Sequence, residues 1–123
     1  VIVSQIAKPS SLNANDIEIY DNKVIINIAN SSLSRYADTG SMLPVLNENS
    51  KGIKIPVTSP SQLHTGDIIT YRDKSGDLVI HRLISISFDE KGTYYVARGD
   101  NNFIADEKIR FEQILYKLVA LVY

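Results

Sequence analysis

Leu78-Val79-Ile80-His81-Arg82-Leu83-Ile84-Ser85-Ile86-Ser87 is the longest strand-like run in this chain of 123 residues. Side chains of an extended strand alternate between two faces. Val79, His81, Leu83 and Ser85 therefore share one face, and Leu78, Ile80, Arg82, Ile84 and Ile86 the other. Turn residues bracket the run, Lys74-Ser75-Gly76-Asp77 before it and Asp89-Glu90-Lys91-Gly92 after it. The same period of two continues outward on both sides. Gly66-Asp67 opens Ile68-Ile69-Thr70-Tyr71 upstream, and Thr93 to Arg98 follows downstream. Ile17 to Tyr20 and Val24 to Ala29 read as a hairpin around the polar turn Asp21-Asn22-Lys23. Polar Asn30 to Arg35 leads away from that hairpin. Lys51 to Val57 is a short strand that stops at Pro56, and Ser59-Pro60-Ser61 is a loop. Apolar, β-rich Ile114 to Tyr123 closes the sheet, and only Asp106 to Leu115 has room for a helical turn or two. The pattern predicts a mainly β chain with little helix: an antiparallel coiled sheet or partly open barrel of short strands.

A chain of this length fits one domain with one core, spanning residues 1–123. Apolar residues make up 44 % and charged residues 22 %, as in ordinary folded proteins. A net charge of −1 argues against an electrostatic grip on nucleic acid, so no nucleic-acid partner is expected. The absence of cysteine removes thiolate catalysis, disulfides and cysteine-ligated zinc. Two histidines, His64 and His81, are too few for a multi-histidine metal site, and no metal or cofactor is implied. No apolar run approaches the ~18–20 residues of a membrane span. The chain begins with Val1, and Val1-Ile2-Val3 reads as the stub of something removed upstream. The missing anchor is therefore uninformative about the native protein.

Chemistry concentrates at three places. Ser41 lies in Thr39-Gly40-Ser41-Met42-Leu43-Pro44, where Gly40 permits a tight turn and Pro44 stiffens its exit. A serine hydroxyl is a weak nucleophile and needs a neighbouring base. Most loop serines are only turn residues, so Ser41 gains meaning from its company. His81 is that company, since a base on a strand is rigidly held. Its ordinary alternative is a satisfied core or edge histidine. Asp100, in Gly99-Asp100-Asn101-Asn102, and Asp106 are the candidate acids that could orient His81. Asp100 can equally serve its turn, and Asp106 can equally cap a helix before Glu107. Thr39 can add its hydroxyl to the Ser41 backbone N–H as an oxyanion donor, or bond only its own turn. His64 has no acidic partner nearby and reads as a surface loop residue, with Asp67 a turn acid.

Taken together, Thr39 to Pro44, Gly66 to Tyr71, Val79 to Leu83 and Arg98 to Asn102 resemble the type I signal peptidases, a family of serine peptidases. The resemblance covers roughly residues 36–123 and leaves 1–35 as an N-terminal hairpin segment. Bacterial members place a lysine where His81 stands, whereas archaeal and endoplasmic-reticulum members have the histidine, a branch that some Gram-positive bacteria also carry. The resemblance implies Ser41 as nucleophile and His81 as general base. Asp100 and Asp106 match that branch's two acidic positions, the later one the better orienting acid and the earlier one supporting. It further implies a β-rich core shared with LexA-like repressors. The substrates would be the signal peptides of preproteins. The catalytic domain would sit on the extracytoplasmic side of the cell membrane, held by an anchor absent from this chain. An apolar patch is expected beside Met42 and Leu43, facing lipid. The hairpin at 17–29 and the stretch from Asn47 to Thr65 are not explained by these motifs.

Two other readings stand beside this one. A self-cleaving LexA-like regulator would share the fold but calls for a lysine base and a DNA-binding module. A catalytically silent β-domain would bind extended peptides by strand addition.

Overall fold

A computed structural model describes residues 12–123, so the proposed stub Val1-Ile2-Val3 lies outside the described residues. The described residues form eight strands: β1 (Ile17–Ile19), β2 (Val24–Ile26), β3 (Ser32–Ser34), β4 (Lys51–Pro56), β5 (Ile68–Arg72), β6 (Leu78–Asp89), β7 (Gly92–Arg98) and β8 (Ile114–Val122). Its helical content among the described residues is three single 3₁₀ turns, at Ala14–Asp16, Pro60–Gln62 and Phe111–Gln113. The fold is mainly β and antiparallel, as the alternation predicts. β1 and β2 pair as a separate two-stranded hairpin, and the other six strands form one open sheet in the order β3-β4-β8-β5-β6-β7.

Three local expectations need correction. Ser32–Ser34 does not simply lead away from the hairpin: it pairs with Gly52–Lys54 as an edge strand, with Ser34 buried and Ser32 and Leu33 exposed. The Ser59-Pro60-Ser61 stretch winds into a 3₁₀ turn, capped by the Ser59 side chain with Pro60 at its first position. The C-terminal strand does not close the sheet at an edge. It lies in the middle, paired with β4 on one side and β5 on the other.

Alternation in β5 distributes its side chains over two cores. Ile69 and Tyr71 join Leu83, Tyr95, Ala97, Ile109 and Ile114 on one face. Ile68 joins Met42 and Leu46 on the other, with Ile80 and Leu118 packed against them. The serine-bearing loop thus covers the second face and is held there by burial of Met42, 5 % exposed, rather than presenting that side chain to lipid. β6 follows its predicted alternation up to Leu83, then bulges: Leu83 faces Ala97 but Ser85 faces Val96. The extra residue shifts the pattern, and Ile86 and Phe88 emerge exposed.

The position of β7 matters most for the site. It pairs with β6 only from Arg82 onward. The first residues of β6, Leu78 to His81, pair with β5 on one side and with no strand on the other. The sheet therefore carries a short free edge beside His81.

Candidate active site

The free edge is one wall of a cleft of about 310 Å³. Leu78, Val79, Ile80 and His81 line it from β6, and Tyr36, Thr39, Ser41 and Met42 from the opposite side. Ser41 and His81 thus meet in one cleft although 39 residues separate them in the chain. Gly40 adopts φ +73°, the left-handed conformation expected of a glycine before a tight turn, and the Leu43–Pro44 peptide is cis.

The loop is anchored from the far side of the cleft. Asn101 donates from its backbone N–H to the Ser41 carbonyl (2.9 Å) and from Nδ2 to the Gly40 carbonyl (3.0 Å). The Asp100 N–H points at Met42 Sδ (3.4 Å). This close approach requires Gly99: a Cβ there would lie 2.6 Å from the Ser41 carbonyl oxygen. In the sequence, Gly99 to Asn102 reads as a turn carrying the candidate acid Asp100, and its service as a clamp through Gly99 and Asn101 is not legible there.

His81 projects from the β6 position paired with Ile69, and its side chain is 12 % exposed. Its Nδ1 lies 2.6 Å from Asp106 Oδ2. With Asp106 accepting, that contact fixes the proton on Nδ1 and leaves Nε2 as the basic nitrogen. Asp106 is not a helix cap. It sits in an irregular segment whose N–H donates to the Ala97 carbonyl (2.8 Å). Its Oδ2 also accepts from the Tyr71 hydroxyl (2.5 Å), a residue sequence reading treated only as a strand end. Burial, together with the adjacent Asp106 carboxylate, raises the Tyr71 pKa well above the usual phenol range, so it stays a donor.

Asp100 turns elsewhere. Both its oxygens meet Arg82, Oδ1 with Nε and Oδ2 with Nη2, each at 2.8 Å. Arg82 also donates through Nη1 to the Gly66 carbonyl (2.8 Å), and its bond to Asp100 raises its pKa. Asp100 therefore does not satisfy its own turn, as one sequence alternative had it, but ties the clamp to β6.

Thr39 and Ser41 pair with each other. The two hydroxyl oxygens lie 3.1 Å apart, and the Ser41 N–H donates weakly to Thr39 Oγ1 (3.3 Å). Ser41 Oγ bonds Thr39 and not His81 in this state. His64 belongs to another place in the fold. Its N–H donates to Asp67 Oδ2 (2.8 Å), and its Nδ1 lies 4.0 Å from the same oxygen, so it has an acidic neighbour after all. Asp67 is the turn acid the sequence suggests, buried and accepting the His64 N–H across the turn.

Val79 and His81 also line a second hollow of about 360 Å³, together with Tyr71, Asp73, Lys74, Asp106, Glu107 and Lys108 among others. His81 thus borders both the cleft and this charged hollow.

Among the described residues, no helix is long and apolar enough to cross a membrane. No protein-family model matches the chain, and no solved structure matches it. Among curated proteins, the chain is 32 % identical over 68 residues to Signal peptidase I W of Bacillus subtilis (strain 168). The matched stretch is 55 % of this chain and 36 % of that protein, so this chain spans little more than a third of its relative. Over about half its length, then, the chain is similar to a signal peptidase.

Proposed function

We propose that this chain is the catalytic part of a serine endopeptidase of the signal-peptidase type, with Ser41 as nucleophile, His81 as general base and Asp106 as the acid that orients it. The observation that carries this reading is the 2.6 Å contact of His81 Nδ1 with Asp106, made by a histidine that shares its cleft with Ser41. The similarity to a signal peptidase supports it independently. On this reading the histidine base would put the chain with the archaeal and endoplasmic-reticulum branch, which some Gram-positive bacteria also carry. The substrates would be preprotein signal peptides, cut at the outer face of a membrane.

The chemistry follows from the groups present. A peptide enters the cleft extended and adds its backbone to the free edge at Leu78–His81. The apolar walls, Met42, Val79 and Ile80 among them, take small apolar side chains near the cut. Ser41 Oγ leaves Thr39 and turns to His81 Nε2; such contacts commonly tighten only once substrate is bound. Nε2 takes the hydroxyl proton as Oγ bonds to the carbonyl carbon. The Ser41 N–H, released from Thr39 Oγ1, and the Thr39 hydroxyl then donate to the developing oxyanion. The C–N bond then breaks, and the imidazolium returns its proton to the leaving amine. Water attacks the Ser41 ester, giving a proton to Nε2. Release of the acid returns that proton to Oγ. Asp106 stabilises the imidazolium in both halves. Asp100 acts at one remove, holding Arg82 and the clamp on the Ser41 loop.

The test is cleavage of a soluble peptide carrying a signal-peptide cut site, by the chain and by Ser41→Ala. Loss of cleavage with an unchanged circular dichroism spectrum is expected. Cleavage at the parent rate would remove Ser41 from the mechanism. The Thr39–Ser41 pairing favours one rival, a silent β-domain that only binds extended peptides. On that reading the peptide binds at the free edge and is recovered intact.

A further inference from the structure

We propose that Tyr71 is a positioning residue for the His81–Asp106 pair, sharing the Asp106 oxygen that His81 uses and so limiting how strongly the pair holds a proton. The proposal rests on the catalytic reading above for its effect on rate, but not for its effect on His81 itself.

The geometry begins with strand register. Tyr71 on β5 faces Val79 on β6, and Ile69 faces His81. Directly opposed residues of an antiparallel pair point to the same side of the sheet. Tyr71 and His81 therefore rise from one face, diagonal neighbours on adjacent strands. The segment bearing Asp106 crosses over them, tied down by its N–H to Ala97 on β7. A single oxygen, Oδ2, then receives both donors, the phenol at 2.5 Å and the imidazole Nδ1 at 2.6 Å. The Tyr71 side chain belongs to the buried core cluster, so the hydroxyl is carried by a ring that cannot swing away.

Two consequences follow from the shared oxygen. The phenol fixes the carboxylate rotamer, which keeps Oδ2 aimed at Nδ1. It also draws charge from that oxygen, so Asp106 stabilises imidazolium less than an unshared carboxylate would. The other charged groups around the pair are Asp73, Lys74, Glu107 and Lys108, all lining the second hollow with His81 and Asp106. Lys74 lies 3.5 Å from Glu107, so these charges offset one another in part. Tyr71 is the neutral donor among them and touches Asp106 directly.

The experiment is an NMR titration of the imidazole signals in the full chain and in Tyr71→Phe. Only two histidines are present, and His64→Gln assigns them. Phenylalanine keeps the ring and removes the donor. The His81 curve is expected to move to higher pH, lowering the neutral fraction on its acid side about threefold. The acid limb of kcat/KM should move the same way, with KM unchanged. In an Asp106→Asn background the substitution should move neither, because the tyrosine acts only through that carboxylate. A folded Tyr71→Phe protein whose His81 curve is unmoved or lowered overturns the proposal. Should Tyr71→Phe not fold, the Tyr71 ¹³Cζ signal in the otherwise unaltered chain is read against Asp106→Asn. A shift supports the contact, and a signal blind to that change overturns it. A moved His81 curve in a chain that cleaves nothing would leave this inference standing while the peptidase reading fell.

Discussion

The two aspartates that follow Gly99 meet different partners: Asp100 gives both oxygens to Arg82, while Asp106 gives one to His81 and Tyr71 together. Their losses should differ accordingly. Asp106→Asn is expected to leave the melting temperature nearly unchanged and to lower kcat by up to ~10⁴, the cost of a wrong imidazole tautomer in such triads. Asp100→Ala leaves the partly buried Arg82 guanidinium without its carboxylate. It should cost about 1–3 kcal/mol of stability and reduce activity only as the serine loop loosens. Thermal melts and turnover numbers for both variants separate the roles, and a stable, inactive Asp100→Ala beside an active Asp106→Asn would reverse them. Gly99→Ala is a third case. Its methyl would meet the Ser41 carbonyl oxygen at 2.6 Å, so the clamp must shift. Cleavage should fall at least tenfold, with a smaller loss of stability, because a misplacement near 1 Å can cost ~10²-fold in rate.

At the scale of elements, the site exists because β7 stops pairing where β6 still has four residues to go. That leaves Leu78–His81 with β5 behind it and open space in front, bounded by the serine loop on one side and the Asp106 segment on the other. β8 supports this edge from within the sheet. Thr70 pairs with Tyr116 and Ile69 with Lys117, so β8 is the strand on which β5 rests. A proline in a central strand removes a ladder hydrogen bond and is rarely tolerated. Leu118→Pro, opposite Lys54, should therefore abolish the cooperative thermal transition. Were β8 an edge strand, as its terminal place in the chain suggests, the loss would be slight. A scan by circular dichroism decides between the two.

Taken whole, the molecule exposes two large apolar side chains on the segment that follows the clamp. Phe103 and Ile104 are 101 % and 81 % exposed, and they follow directly on Asn101 and Asn102 of the clamp. Leu43, on the serine loop itself, is 39 % exposed, while Met42 is buried. The apolar surface expected beside Met42 and Leu43 is thus divided: Met42 pins the loop, and Phe103, Ile104 and Leu43 remain outside. If this end meets lipid, as proposed, Phe103→Ser/Ile104→Ser should weaken sedimentation with phosphatidylcholine vesicles severalfold. Its melting temperature and its cleavage of a soluble peptide should not change. A net charge of −1 predicts little gain on adding anionic lipid. Equal binding by parent and variant would move the membrane contact elsewhere.

The sequence by itself determined the β class, most strand positions and the turns between them, because alternation and turn chemistry are local. Ile68–Arg72, Leu78–Asp89 and Gly92–Arg98 appear nearly where period two and the Gly-containing turns place them. The short strand at Ser32–Ser34 escaped, since three residues with a single apolar one, Leu33, are too short an alternation to read. Ser41, His81 and the two aspartates were legible as candidates through their motifs. Which aspartate meets the histidine was not, because a spacing of six residues says nothing about how an irregular segment folds back across a sheet. Tyr71 was invisible as a partner for the same reason: its bond to Asp106 joins positions 35 residues apart. Strand order, the central place of β8 and the free edge of β6 are non-local pairings. Only the tertiary structure decides them, since they depend on which apolar faces bury one another once the whole sheet is assembled.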